Sequence, residues 1–458
     1  MLKVWLVAGV FIVGMYGTAG AQCDGVRPTR DWSYQPHGNA VATLWNPLLP
    51  DTGGELQVVA IGDSVVWGNG DKPGFKIVDL VGQQLADATR RSVHMTSWAH
   101  SGARLITDPV GVKSPIGTDG TPLGDLNAAE LSVTEQAACA AHAKPNAELL
   151  ILDGCINDVG SLNIALPLPF NWTSKETVQR TAYAACGSPM SALLTSVKGY
   201  FPKATIVVLN YFQIVSEDSR FLLDTVMGAV NGAQARSAAV NSALTKGSAT
   251  KDVDALDMEQ KKLIAESRIT ATESMQPENL TIRPEAAAVP PQAPFEKWRD
   301  NSNAFLTTSQ GCFMWAVAGV NGGPLAALPL DSGGDHLPSC PAATLTVAPA
   351  TLDARVYLAI VDNEPGYAYG AALTHLWKLG EHDQMYEDRK TLCRSIYTKV
   401  VDREECEINP VAHPRPEGAS AYADSIGKLL KTVWGVAPAA PVAPIGPPAM
   451  VPSPTTAP

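Results

Sequence analysis

A chain of 458 residues, 45% of them apolar and 17% charged, can bury a large core of one or two domains, which excludes an intrinsically disordered protein. Its formal net charge of -11 comes with no Lys/Arg-rich run. That balance argues against nucleic-acid binding and strong adhesion to anionic membranes, and favours a neutral or partly apolar substrate.

The first twenty-one residues carry one cation, Lys3, then an apolar run from Val4 to about Met15, and close on Ala19-Gly20-Ala21. This is the pattern of a secretory signal peptide, so residues 1–21 are expected to be removed and the mature chain to begin at Gln22. No later segment approaches ~18 continuous apolar residues, so no stable membrane span is expected. A secreted, periplasmic or extracellular location also suits the eight cysteines, which allow up to four disulfides. Their pairing is open at this level, although the short Cys393–Cys406 interval favours a local bridge. No CxxC or Cys/His spacing proposes a metal site, and no cofactor is expected.

Leu56–Ile61 is an apolar run that ends at a Gly-Asp-Ser turn, and Phe75, Ile77, Val78, Val81 and Leu85 then recur at helical spacing. Strands are expected again at Val93–Ala99, Leu149–Leu152, Thr205–Leu209 and Val356–Ile360, with helical segments between several of them, including Phe221 to about Leu244. Alternating strands and helices imply an α/β fold with a mainly parallel sheet covered by helices on both faces. From Lys251 to Val347 the rhythm weakens into Pro- and Gly-rich stretches, which read as an irregular insertion overhanging the site, a candidate lid. A last helix is expected over Ala419–Trp434, with Tyr422, Ile426, Leu429, Leu430 and Val433 in one stripe. The main domain would then span 22–435, followed by a disordered Pro/Ala-rich tail over 436–458.

In open parallel sheets, ligands bind beyond the carboxyl ends of the strands. Three turns occupy such positions: Gly62-Asp63-Ser64-Val65-Val66-Trp67-Gly68, His100-Ser101-Gly102-Ala103, and Asp153-Gly154-Cys155-Ile156-Asn157-Asp158. A serine hydroxyl needs a base to become a nucleophile, and the tetrahedral intermediate that it forms needs donors aimed at the oxyanion. Ser64 can supply the hydroxyl, Gly102 an unobstructed backbone N–H, and Asn157 a side-chain amide. Each piece alone is a common turn; their order and placement together point to acyl transfer.

That order and content resemble the SGNH (GDSL-like) hydrolase family, whose four sequence blocks supply Ser, Gly, Asn and His. The resemblance implies a flavodoxin-like fold, Ser64 as nucleophile, an oxyanion hole of the Ser64 and Gly102 amides with the Asn157 side chain, and Asp63 and Asp158 as structural neighbours. The family's fourth block reads Asp-x-x-His-Pro, then Gly and a helix with Tyr-Ala. Here Pro410-Val411-Ala412-His413-Pro414 leads to Gly418, Tyr422 and Ala423. His413 matches as the general base, but Pro410 stands where the family has its acid. Some members work as a Ser-His dyad with a main-chain carbonyl orienting the ring, and a carbonyl near Pro410 is expected to do so here; Glu405, Glu407 and Asp402 remain alternatives.

The resulting expectation is a secreted carboxylic ester hydrolase, an esterase or lipase, acting on a lipid or acylated carbohydrate. A polysaccharide O-acetylesterase and a catalytically silent surface-binding protein on the same fold are the alternatives. His336 is the rival base or metal ligand. His100 reads as a loop histidine with a local hydrogen bond, and His37, His94, His142, His375 and His382 have no supporting context. Cys155 reads as a disulfide anchor, to Cys139 or Cys186, ahead of a nucleophile. Asn171-Trp172-Thr173 and Asn279-Leu280-Thr281 are glycosylation sequons.

Overall fold

The computed structural model describes residues 23, 26–37, 54–105, 131–160, 164, 174–215, 219, 293–322, 340, 355–360, 376–377, 382–396, 406–407 and 410–434. Its centre is a six-stranded sheet in the order β1-β3-β2-β4-β5-β6. The strands are β1 (Arg30–Tyr34), β2 (Leu56–Ile61), β3 (Val93–Ser97), β4 (Leu149–Leu152), β5 (Thr205–Leu209) and β6 (Val356–Ala359). β2 to β6 run parallel, and β1 pairs antiparallel with β3 at the edge.

The parallel strands follow the apolar runs of the sequence because a strand covered on both faces has no polar side to alternate. Every residue of β4, Leu-Leu-Ile-Leu, is buried. β1 is not legible as an apolar run: only Trp32 and Tyr34 of its five residues are buried, and the half-buried alternation is too short to stand out.

Helices cover both faces. On one side α2 (Ile77–Thr89) packs against β3 and the terminal helix α9 (Pro416–Trp434). The other carries α3 (Val133–Ala143), α5 (Lys175–Cys186), α6 (Ser188–Tyr200) and α7 (Ala293–Val320). Two four-residue turns of helix, α1 (Ser64–Trp67) and α4 (Ile156–Val159), follow β2 and β4, and α8 (Tyr386–Ile396) precedes the final loop. Taken from β2 onward, the parallel strands have the doubly wound order 2-1-3-4-5, whose crossovers change direction beside β2 and open a crevice between β2 and β4.

α7 corrects the expectation of an irregular insertion over 251–347. Twenty-eight residues of that stretch form one helix packed on α5, α6 and β6. Its buried side carries Phe295, Trp298, Ser302, Phe305, Ser309, Cys312, Phe313 and Ala316 at helical spacing. Asn301, Ser302 and Ser309 on that side are polar yet buried, which breaks the apolar period in the sequence. The rest of that stretch, the expected helix at 221–244, the signal segment and the tail lie outside the described residues.

Four disulfides join Cys23–Cys139, Cys155–Cys186, Cys312–Cys340 and Cys393–Cys406. The local bridge expected at Cys393–Cys406 forms, and Cys155 takes Cys186. Such bridges are compatible with an oxidising, extracellular setting. Among the described residues no helix is long and apolar enough to cross a membrane.

Candidate active site

The Ser64 turn is fixed by main-chain bonds to buried polar side chains. Gly62 has φ +147°, and a Cβ there would sit 2.0 Å from Asp153 Oδ1, so the strand can leave the sheet here only through glycine. The Gly62 N–H donates to Gln136 Oε1 at 2.7 Å and its carbonyl accepts from Gln136 Nε2 at 3.1 Å. Asp63 caps α1, its Oδ1 accepting from the Val65 N–H at 2.9 Å. The Asp63 and Val66 N–H groups donate to the two oxygens of Asp153, at 2.8 and 3.3 Å. Ser64 is therefore held at the first position of a short helix, where its own N–H has no intrahelical acceptor.

His413 arrives from the far end of the chain. Its Nε2 lies 2.6 Å from Ser64 Oγ across 349 residues of sequence. The loop that carries it is pinned by an isolated bridge between Leu376 and Pro414, with Trp377 N–H donating to His413 O and Ala412 N–H to Trp377 O, each at 2.9 Å. Ala412 takes φ +67°, a strained value for a residue with a Cβ, immediately before the histidine. Gly70, in the turn after α1, has φ +90°, and a Cβ there would come within 2.7 Å of Pro410 Cβ. The two ends of the site thus touch through a glycine.

The expected carbonyl partner of His413 takes a different form. The Pro410 carbonyl accepts from the His413 main-chain N–H at 2.9 Å. The Pro410 and Val411 carbonyls also face the ring as acceptors and favour its charged form, although neither makes a well-aligned hydrogen bond to Nδ1. Of the alternative acids, Glu407 bonds Arg394 at 3.0 Å, while Asp402 and Glu405 lie outside the described residues.

The other two turns are stapled to each other and to the Ser64 turn. Gly102 has φ +78° after β3. Asn157 Nδ2 donates to the Ala103 carbonyl at 2.9 Å, which uses one of its two N–H groups, and Asp158 Oδ2 accepts from the Leu105 N–H at 2.7 Å. Asn69 Nδ2 reaches Ser101 Oγ at 3.4 Å. The Cys155–Cys186 bridge anchors the Asn157 turn to α5, with Cys155 itself at φ +99°. Cys155 is thereby removed as a nucleophile.

Behind the serine lies a buried network that the sequence did not announce. Tyr211, just after β5, donates its hydroxyl to Asp63 Oδ2 at 2.7 Å and accepts from the Ile156 N–H at 3.2 Å. Its position in a turn at the carboxyl end of a parallel strand is the available signal. Burial and the adjacent Asp63 charge hold Asp153 well above the usual carboxylate range. Burial pushes the Tyr211 phenol up. Burial likewise pushes His413 below the ordinary imidazole value, opposed by Asp63 and the two loop carbonyls and assisted by Arg389. Its ring is therefore neutral at neutral pH.

The remaining histidines sit elsewhere. His100 is buried with Nε2 2.9 Å from the Leu131 carbonyl and Nδ1 3.0 Å from the Ser101 carbonyl, and burial lowers its pKa. His37 pairs with Asp87, His94 with Asp31, and His382 stacks on Tyr386. His142 lies in the last turn of α3. His336, His375 and both sequons fall outside the described residues.

No protein-family model and no curated protein sequence matches the chain. Solved structures that it resembles include a carbohydrate esterase family 2 enzyme with a carbohydrate-binding domain from Corynascus thermopiles (Myceliophthora fergusii), at 17% identity, TM-score 0.20, over 40% of this chain and 50% of that one. A family two carbohydrate esterase from Clostridium thermocellum in complex with cellohexaose matches at 15% identity and TM-score 0.18, over 39% of this chain and 50% of the other. The acetyl xylan esterase Est2A from the rumen bacterium Butyrivibrio proteoclasticus matches at 12% identity and TM-score 0.20, over 40% and 53%. The matched stretch spans about half of each of these chains. At these scores the superposition says nothing of chemistry, which rests on this chain's own geometry.

Proposed function

We propose that this protein is an exported serine hydrolase of the SGNH type that cleaves carboxylic esters through an acyl-enzyme on Ser64, with His413 as general base. The observation that carries this reading is the 2.6 Å contact between Ser64 Oγ and His413 Nε2, at the carboxyl end of a parallel strand beside the crevice between β2 and β4. A buried, neutral imidazole within hydrogen-bond reach of a serine hydroxyl is the pairing that activates a nucleophile.

The Oγ–H proton passes to Nε2 as the Oγ–C bond forms and the carbonyl π electrons move to oxygen. The Ser64 and Gly102 N–H groups and the remaining Asn157 N–H receive that oxyanion. His413 then returns the proton to the leaving alkoxide oxygen as the ester C–O bond breaks, and water repeats the cycle on the acyl-enzyme. A lipid or an acylated carbohydrate fits this chemistry, and the net charge disfavours a polyanionic substrate.

The test is turnover of p-nitrophenyl acetate, butyrate and palmitate by the purified protein beside Ser64→Ala and His413→Ala. Each substitution is expected to lower kcat by about 10⁴-fold or more. Wild-type rates retained by Ser64→Ala would overturn the reading, and the chain-length profile separates an acetylesterase from a lipase.

A further inference from the structure

We propose that the Asp63 carboxylate, clamped between the Val65 N–H and the Tyr211 hydroxyl, is the counter-charge that stabilises the His413 imidazolium during acyl transfer, acting from behind the nucleophile. This rests on the Ser64/His413 reading above. In a triad a carboxylate bonded to Nδ1 orients the ring and offsets the positive charge that forms on it. Here the two duties are divided. The position of the histidine comes from the loop itself, through the Leu376–Pro414 bridge and the paired main-chain bonds of Trp377.

The charge comes from the residue next to the nucleophile. Asp63 is fully buried and adjoins Ser64, whose hydroxyl touches Nε2, and a negative charge there favours the charged form of the ring. Its two oxygens accept at 2.9 Å from Val65 N–H and 2.7 Å from Tyr211 Oη. Hydrogen bonds to a carboxylate favour its ionised form. The other charges around the base are differently disposed. Arg389 opposes imidazolium formation and is paired with Asp383; Arg415 lies over Trp377 and pairs with Glu417; Asp71 is in the turn that abuts Pro410.

Tyr211 is the positioning residue of this arrangement. Its ring packs on Phe305 and Phe313 of α7, with centroids 5.2 and 6.0 Å away. Its hydroxyl joins Asp63 to the Ile156 N–H of the Asn157 turn, so one atom sets both the charge behind the base and the spacing of the two turns.

The experiment is the pH profile of kcat/KM for p-nitrophenyl acetate in wild type, Asp63→Asn and Tyr211→Phe, with melting temperatures recorded alongside. Asn keeps an acceptor for the Val65 N–H, and Phe keeps the packing on α7. Both variants are expected to move the acid limb to lower pH, because the imidazolium loses its counter-charge, and to lower kcat with KM little changed; each unit of displacement corresponds to about a tenfold loss in imidazolium stability. A lower plateau with an unmoved limb in both variants would make Asp63 a cap and nothing more, and would overturn the proposal. So would a limb that moves in Asp402→Asn or Glu405→Gln and stays fixed in Asp63→Asn. If the wild type hydrolyses esters independently of Ser64 and His413, it is the functional reading that fails.

Discussion

Ser64 and His413 meet at 2.6 Å, but the two regions that deliver them are built differently. The serine turn is rooted in the buried sheet, and its main-chain groups bond Gln136 and Asp153 from neighbouring elements. The histidine loop rests on one isolated bridge, a strained Ala412 and a contact with Gly70. Behind it Arg389 holds Asp383 and the Glu407 carbonyl, beside the Cys393–Cys406 bridge. The serine is thus held by the core, whereas the histidine is placed by a small accessory assembly whose stability is partly its own.

Removing the serine side's support should have the largest effect. Asp153→Ala leaves the Asp63 and Val66 N–H groups buried without acceptors, and urea unfolding should register a loss of about 2–5 kcal/mol. Asn157→Ala removes the proposed oxyanion donor and should lower kcat by about 10²–10³-fold with KM nearly constant; near wild-type kcat would remove Asn157 from the site.

On the histidine side, Cys393→Ser combined with Cys406→Ser opens a loop of sequence separation 13 and should cost about 3 kcal/mol in the chain-entropy account. Hydrogen exchange should place that loss in α8 and the His413 loop, with the strands still protected; simultaneous loss in both would erase the distinction between the two regions. Gly70→Ala should push on Pro410 and lower kcat by up to about 10²-fold through a misplaced His413, with hydrogen exchange in β2 and α1 unchanged.

The pH response is the mildest of these effects. His413 and His100 bind protons less readily folded than unfolded, so their contribution is level above about pH 6.5 and erodes as pH falls through their folded values, partly offset by the raised pKa of His94. The acid limb of kcat/KM should accordingly lie below about pH 6.5. A limb above that value would mean that the ring gains a stronger anionic partner than Asp63.

The sequence carried the parallel strands and the principal contact for the same physical reason: each depends on residue type at a recognisable position. Doubly covered strands must be apolar throughout, and Ser64 and His413 lie in turns with few other candidates for their chemistry. What it hid were elements whose burial is polar or cooperative. α7 buries Ser302 and Ser309 on its packed side, and β1 buries only alternate residues. Tyr211 looks like any tyrosine after a strand until Asp63 and Ile156, far apart in sequence, are brought to one hydroxyl. The main-chain bonds that orient His413 leave no side-chain signature at all.

The sequence separation of 349 between hydroxyl and imidazole also imposes an order in time. Synthesis runs from the N-terminus, so the growing chain holds its serine long before its base exists. Every partial product ending before residue 413 lacks the group that would activate Ser64. On the proposed reading, a chain stalled or clipped before residue 413 carries the serine without its partner.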